Sequence, residues 1–262
     1  MIAGDLTTLA NVKSWLTVSS TTDDVMLSRL ITSVSQYIQQ WLNRTIGVTS
    51  KIEMRNGTGT NMMVFGEYPV VAVASVMVGG VTIPLSTDGI SAGYVFDSKV
   101  LYLIGYAFQM GMQNVKLTYT FGYQKTKEAA TIPATPYTIA VTSLGLPWGG
   151  DVSVNLSGGV ALAKITGVPT TGQYSCSSTA GVWSYVFAAA DVGKAIEITY
   201  SYIPPEIEQV CTDLVSLRYR ERGRIGENSK SMGGEVVSYN TKDFPDGVLT
   251  ILNNYRRVIS VY

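Results

Sequence analysis

The sequence contains no histidine and only two cysteines among its 262 residues. The lack of histidine excludes serine–histidine and cysteine–histidine catalysis, the usual zinc sites and the commonest proton shuttle. Cys176 and Cys211 are far apart and match no metal-binding spacing, so we expect two reduced cysteines that pack in the interior. We therefore predict a protein that is not an enzyme, with no catalytic residue, no cofactor and no metal.

Net charge and long apolar runs are also absent. Nineteen basic residues balance nineteen acidic ones, whereas a protein that coats nucleic acid is usually basic overall. No apolar run approaches the roughly 18 residues of a membrane-spanning helix, and the first residues lack the pattern of a signal peptide. We expect a protein that folds in the cytosol and makes no membrane contact.

Helical periodicity occurs at both ends of the chain. The first helix is predicted to begin after Thr7 or Thr8 and the second after Thr22 or Asp23, since these residue types cap helices well. Pro205 favours the first position of a third helix, and a fourth follows residue 245. The second helix must bury one face, which carries Leu27, Leu30, Ile31, Val34, Ile38, Trp41 and Leu42.

Between the helices, β-branched and aromatic segments alternate with turn signals. Residues 48–123 contain Asn56-Gly57, Gly79-Gly80 and Asp88-Gly89, which predict an antiparallel sheet built of hairpins. Residues 124–134 are polar and predict a linker. In residues 135–202, turn signals recur about every 8 to 12 residues, which is typical of a small β-sandwich of the immunoglobulin-like kind.

The predicted fold class is therefore α+β, with an all-β module inserted into a host that combines helices and an antiparallel sheet. We assign residues 1–123 and 203–262 to the host domain and residues 124–202 to the inserted β-sandwich.

Alternate arginines end the third helix and precede a glycine-rich loop. Because every second residue of a helix advances by about 200°, Arg218 and Arg222 are expected on one side, and Arg220 and Arg224 on the other. With Lys230, five cations oppose two acidic residues between positions 218 and 230. Cations on two faces suit a helix end between neighbouring molecules, although a solvated helix end is the simpler alternative.

Several stretches together resemble the head–tail connector (adaptor) proteins of tailed bacteriophages. The opening helical pair, LTTLANVKSWLTV and DDVMLSRLITSVSQYIQQWLNR, is similar to theirs, as are the sheet segments YPVVAVASVMVGGVTIP and NVKLTYTFGY. The closing segment, which begins IPPEIEQVCTDLVSLRYRER, resembles their final helix, loop and tail. Residues 124–202 have no counterpart in the shorter connectors, which supports the inserted module.

The resemblance implies a ring, usually of twelve copies, in the neck of the virion. Its partners would be further copies of itself, the portal protein, the next tail or stopper component, and double-stranded DNA that passes through without sequence readout. Assembly would take place in the host bacterial cytoplasm. The candidates for the subunit interface or the DNA lumen are Arg218, Arg220, Arg222, Arg224 and Lys230. The candidates for a portal-docking tail are Tyr255, Arg256, Arg257, Val258, Ile259, Val261 and Tyr262.

Two other functions remain open at this point. One is a carbohydrate-binding or adhesion module on a helical base, with Tyr137, Trp148 or Tyr174 as exposed aromatic residues that stack on sugars. The other is a hydrolase that uses carboxylates without histidine, for which no acidic pair in the sequence identifies a site.

Overall fold

The computed structural model describes residues 4–179, 182–223, 229–232, 235–238 and 244–257. Its helices are α1 (Leu9–Leu16), α2 (Asp24–Leu42), α3 (Pro205–Glu221) and α4 (Asp246–Tyr255). The first seven strands are β1 (Thr49–Gly57), β2 (Met62–Val64), β3 (Val70–Val78), β4 (Val81–Ile83), β5 (Gly93–Phe96), β6 (Val100–Ile104) and β7 (Gly111–Phe121). The others are β8 (Gln124–Thr131), β9 (Thr138–Ala140), β10 (Trp148–Leu156), β11 (Ala163–Lys164), β12 (Gln173–Thr179), β13 (Val182–Phe187), β14 (Ala195–Tyr202), β15 (Ser229–Met232) and β16 (Glu235–Ser238). The predicted α+β class is confirmed.

The four helices share one core, with α3 packed against the other three. Thr8 caps α1, because its hydroxyl oxygen accepts a hydrogen bond from the Asn11 amide at 3.1 Å. The buried residues of α2 are Leu27, Ile31, Val34, Ser35, Ile38 and Leu42, which recur at helical spacing and follow the predicted stripe. Each fully buried aliphatic side chain contributes roughly 1.5–3 kcal/mol to folding. Within the described ranges, every helix is too short or too polar to cross a bilayer.

A second core lies between two antiparallel sheets formed by residues 49–121. One sheet has the strand order β1-β7-β3-β4 and the other has the order β2-β6-β5. Tyr119 and Leu117 on β7 and Leu101 on β6 are buried between them. The longest pairing joins β1 to β7, which are far apart in sequence. This region is therefore not the simple series of hairpins that local turn signals predicted.

The three predicted turns have different outcomes. Gly79-Gly80 does close a two-residue hairpin between Val78 and Val81, and both glycines have positive φ, at 56° and 84°, as a type I′ turn requires. Asn56-Gly57 instead forms the end of β1, and the chain continues into β2, which belongs to the other sheet. Asp88-Gly89 lies between β4 and β5, which also belong to different sheets. Turn chemistry alone does not determine which strands pair.

A third core is formed by residues 130–202, between the sheets β10-β14-β8 and β11-β12-β13-β9. Its largest fully buried side chains include Tyr174, Tyr185 and Tyr200. Tyr185 and Phe187 alternate on β13 and both face this core, as the pattern of that segment predicts. The immunoglobulin-like character of these two sheets stays a prediction.

The polar segment predicted as a linker is in fact strand β8, at one edge of its sheet. It pairs antiparallel with β14 from Gln124 to Thr131. Its charged side chains lie on or near the surface, where Lys127 pairs with Glu197 of β14 at 3.4 Å. An edge strand needs little apolar surface, and charged residues protect its open edge from further pairing, so its composition resembles that of a linker.

Candidate assembly surfaces

The cationic end of α3, defined here by Arg218, Arg220 and Arg222, lies at the protein surface. The Arg218 guanidinium is 5.2 Å from the centre of the Tyr37 ring on α2. The Arg222 guanidinium is 4.0 Å from the Tyr219 ring, and it donates a hydrogen bond to the Tyr219 carbonyl at 2.7 Å. Two of the three cations therefore rest on aromatic rings of their own chain.

Arg220 differs from its two neighbours. It is exposed, and among the residues that the structure describes no side chain forms a hydrogen bond or ion pair with it. The helix ends at Glu221, so Arg224 would follow it and lies outside the described residues. Lys230 falls in β15, of which only the backbone is described. All three arginines of this helix end are exposed, and Arg220 is the one of them that has no partner among the described residues.

Tyr219 fixes this helix end to the start of α2. Its hydroxyl donates a hydrogen bond to a carboxylate oxygen of Asp23, which holds the N-cap position of α2. This hydrogen bond, together with desolvation, raises the pKa of Tyr219. The contact orients the cationic end of α3 relative to the rest of the helical core.

The start of the predicted portal-docking tail is bound to the body of the subunit. The Arg257 amide donates to the Leu42 carbonyl at 3.0 Å, and the Arg257 guanidinium forms an ion pair with Glu67. Arg256 lies 4.8 Å from the centre of the Trp41 ring. Tyr255 donates its hydroxyl to a Glu206 carboxylate oxygen at 2.9 Å, and burial followed by this bond raises the pKa of Tyr255 to about 12. The remaining four candidates, Val258, Ile259, Val261 and Tyr262, lie outside the described residues.

Arg44 connects the end of α4 with the segments before β3 and after β7. Its side chain is buried, and its guanidinium donates hydrogen bonds to the carbonyls of Tyr68 and Tyr255. It also lies 4.9 Å from the Tyr68 ring and 5.6 Å from the Tyr123 ring. Nearby, a Cβ on Gly122 would lie 2.7 Å from the Gly47 carbonyl oxygen, so this crossing of two segments requires glycine. We call the residues Arg44, Tyr68, Tyr123 and Tyr255 the junction.

A cleft of about 330 Å³ separates the helical core from the third core. The first turn of α1 and the first turn of α3 form one wall, through Asn11 and Glu208. Trp148 and Trp183 line the other wall, with ring centres 5.3 Å apart. The Asn11 amide donates to one Glu208 oxygen at 2.6 Å, while burial raises the pKa of Glu208. Sequence patterns do not reveal this cleft, since its residues come from four separate segments.

The aromatic residues proposed for sugar binding do not form one exposed surface. Tyr174 is only 2% exposed, and its hydroxyl donates to Asp151 at 3.0 Å. Its assignment as an exposed stacking residue was therefore wrong, because it belongs to the third core. Trp148 is half-buried and donates its ring N–H to the Tyr185 hydroxyl at 3.1 Å.

Two partly buried carboxylates accept hydrogen bonds from tyrosine hydroxyls of the β cores. Glu53 accepts from the Tyr119 hydroxyl at 2.7 Å, and Glu128 accepts from the Tyr200 hydroxyl at 2.6 Å. Burial, reinforced by these carboxylates, raises the pKa of both tyrosines. In the described ranges no cluster of three or more histidine, cysteine, aspartate or glutamate residues could hold a metal ion.

The chain belongs to the head completion protein family, whose model matches residues 5–135 and 160–258. The predicted relationship to phage head–tail connectors is thereby confirmed. Membership of this family makes the chain a structural protein of head completion.

The family match also covers much of the predicted insert. Between its two matched ranges the family model leaves out residues 136–159, a shorter stretch than the predicted insert of 124–202. Among solved structures, one chain of the neck of an empty GTA particle, computed with C6 symmetry, is similar at 12% identity and a TM-score of 0.42, over 100% of this chain and 94% of that chain. A similarity at this level adds nothing to the functional assignment. No curated protein matches the chain.

Proposed function

We propose that this protein forms a closed ring between the portal of the filled capsid and the tail. The ring would contain twelve copies, as the resemblance to connectors implies, and double-stranded DNA would pass through it without sequence readout. Its lower face would receive the next tail or stopper component. The observation that carries this proposal is the match to the head completion family over most of the chain.

The surface chemistry supports an assembling subunit. In a ring, each copy meets its neighbours through two different surfaces, and the two ends of α3 differ in charge. Large apolar side chains are also exposed, including Ile52 at 64%, Met110 at 83% and Met112 at 88%. Exposed apolar groups on a folded subunit favour surfaces that are covered on assembly.

We propose that the tail after Arg257 docks on the portal. The root of the tail is fixed by the contacts of Arg257 and Tyr255, so a docking segment beyond it would start from a defined point. A β-branched and aromatic run such as VISVY could bind as an added strand or short helix. The junction would then set the direction in which this segment approaches its partner.

We also retain residues 124–202 as a proposed insertion in the host domain. The segment starts and ends at neighbouring points, since the Tyr202 amide donates to the Tyr123 carbonyl at 2.9 Å. Gln124 and Ser201 are register partners on antiparallel strands, so a two-residue turn can join them. This module would project from the rim of the ring, where it could decorate the particle, brace a neighbouring copy or contact a fibre or the host surface.

The function is tested by producing particles without this chain. We expect capsids that package DNA but then lose it and do not accept tails. Supplying the chain in trans should restore both properties. Particles that keep their genome and accept tails in its absence would contradict the proposed function.

A further inference from the structure

The cleft between α1, α3 and the third core has an unusual chemical character. Its twelve lining residues include one ionisable group, Glu208, and no lysine or arginine. The polar partner of Glu208 in the described part of the chain is the neutral amide of Asn11. The opposite wall carries the Trp148 and Trp183 rings. The cleft therefore combines a half-buried carboxylate with aromatic walls.

This combination is suited to a guanidinium group. A planar guanidinium can pair with a carboxylate on one side and stack on an aromatic ring on the other, which an ammonium does less well. Tryptophan and arginine are also enriched among the residues that dominate binding at protein interfaces. A cation in the cleft would compensate Glu208, whose pKa is raised because burial disfavours its charged form.

The other end of the same helix carries a suitable cation. Glu208 lies in the first turn of α3 and Arg220 lies in its last turn, twelve positions or about 18 Å farther along the axis. Arg218 and Arg222 rest on the rings of Tyr37 and Tyr219, whereas Arg220 is exposed and has no described partner. Each subunit thus presents an acidic aromatic cleft and, on a separate surface, an available arginine.

We propose that Arg220 of one copy inserts into the cleft formed by Glu208, Trp148 and Trp183 of the next copy around the ring. This inference rests on the proposed ring and names the contact between its subunits. A contact between two unlike surfaces repeats from copy to copy and closes by rotation. The contact also gives a role to the sheets of the third core, because Trp148 and Trp183 lie on β10 and β13, whereas Arg220 and Glu208 lie on α3.

Charge reversal tests this contact. Glu208→Lys places two cations opposite each other, and Arg220→Glu places two carboxylates opposite each other. Reversing one member of a buried charge pair leaves the other charge desolvated beside a like charge, so each variant alone should need at least about 10-fold more protein to form rings. The measurement is mass photometry or native mass spectrometry across a concentration series, with portal present if the wild-type protein requires it.

Mixing the two variants gives the decisive result. In an alternating ring, every contact then joins either Glu208 with Arg220 or the introduced lysine with the introduced glutamate. Both contacts are attractive, so the equimolar mixture should form rings within roughly 3-fold of the wild-type concentration. Arg29→Glu, at an exposed arginine on α2, is the matched control and should not change assembly. Glu208→Gln removes the charge but retains the shape of the side chain, and it should also weaken assembly. It replaces Glu208→Lys in the test if that variant does not fold.

The outcomes separate this contact from the ring itself. If wild-type rings form and the two reversals leave them unchanged, or if the mixture does not recover, the contact is wrong and the ring stands. If wild-type protein forms no ring with or without portal, both proposals fail. If the Glu208 variants form normal rings but lose portal binding, or if free oligosaccharides change the fluorescence of Trp183, the cleft has another occupant and the inference is overturned.

Discussion

Replacing Arg44 by alanine should weaken the association of the helical core with the second core. The guanidinium of Arg44 is buried and donates to the carbonyls of Tyr68 and Tyr255. Tyr68 precedes β3 of the second core, and Tyr255 ends α4 of the helical core. Arg44 also faces the rings of Tyr68 and Tyr123. No other residue among those described makes this set of contacts.

The expected cost follows from these contacts. A hydrogen bond from a charged group contributes about 1.5–3 kcal/mol, and a partly desolvated cation–π contact contributes roughly 1 kcal/mol. Removing the guanidinium also relieves its own desolvation, including that of the buried Nε, which has no hydrogen-bond partner. We therefore expect Arg44→Ala to lower the free energy of unfolding by about 2–4 kcal/mol. For a chain of this size, that corresponds to a decrease in Tm of roughly 5–15 °C.

Urea unfolding followed by circular dichroism measures the free energy, and calorimetry shows whether one transition splits into several. Arg44→Lys keeps the charge but loses the planar fork, so it should cost about half as much. Arg29→Ala, at an exposed site, should change stability by less than about 0.5 kcal/mol. A loss below roughly 1 kcal/mol for Arg44→Ala, with a single unchanged transition, would refute the role assigned to the junction.

Three further predictions concern separate parts of the molecule. Replacing residues 125–200 by two glycines should leave a host domain that unfolds cooperatively, and loss of all cooperativity in calorimetry would reject the insertion. Removing residues 258–262 should leave the Tm within about 2 °C of wild type but abolish portal binding in a pull-down, and retained binding would show that the tail is not the docking segment. Burial raises the pKa of Asp191, but hydrogen bonds from Lys194 and the Gly172 amide outweigh it and leave the pKa lowered. A carboxylate whose pKa is lowered in the folded state stabilises the protein at pH values above its unfolded pKa of about 4. This stabilisation is lost as the pH falls through the folded-state pKa. Asp191→Asn should therefore lower stability at pH 7 and flatten its decline in acid, and an unchanged pH profile would contradict this.

The helices could be predicted from sequence because their signals are local. Thr8 caps α1 and Pro205 begins α3 as expected, since a cap or a proline acts within one helical turn. The periodic apolar residues of α2 likewise identify its buried face. The sheets were less predictable, because β1 pairs with β7 across about sixty residues and no local turn encodes that choice.

The candidate surfaces depend even more on long-range packing. The sequence identified the arginines at the end of α3, but it could not show that Arg218 and Arg222 rest on tyrosine rings while Arg220 faces outward. Arg44 follows the end of α2 without any distinguishing pattern. Glu208 is adequately explained in the sequence as a first-turn acid of a helix. Its place in the cleft becomes visible only when the tryptophans of the third core lie beside it.

In the proposed function, these subunits form a ring between portal and tail. This proposal is tested most directly by cryo-electron microscopy of the purified protein mixed with purified portal. We expect a closed ring of this chain, coaxial with the portal and open along the axis. Portal particles without an added ring, or with this protein bound as isolated copies, would contradict it.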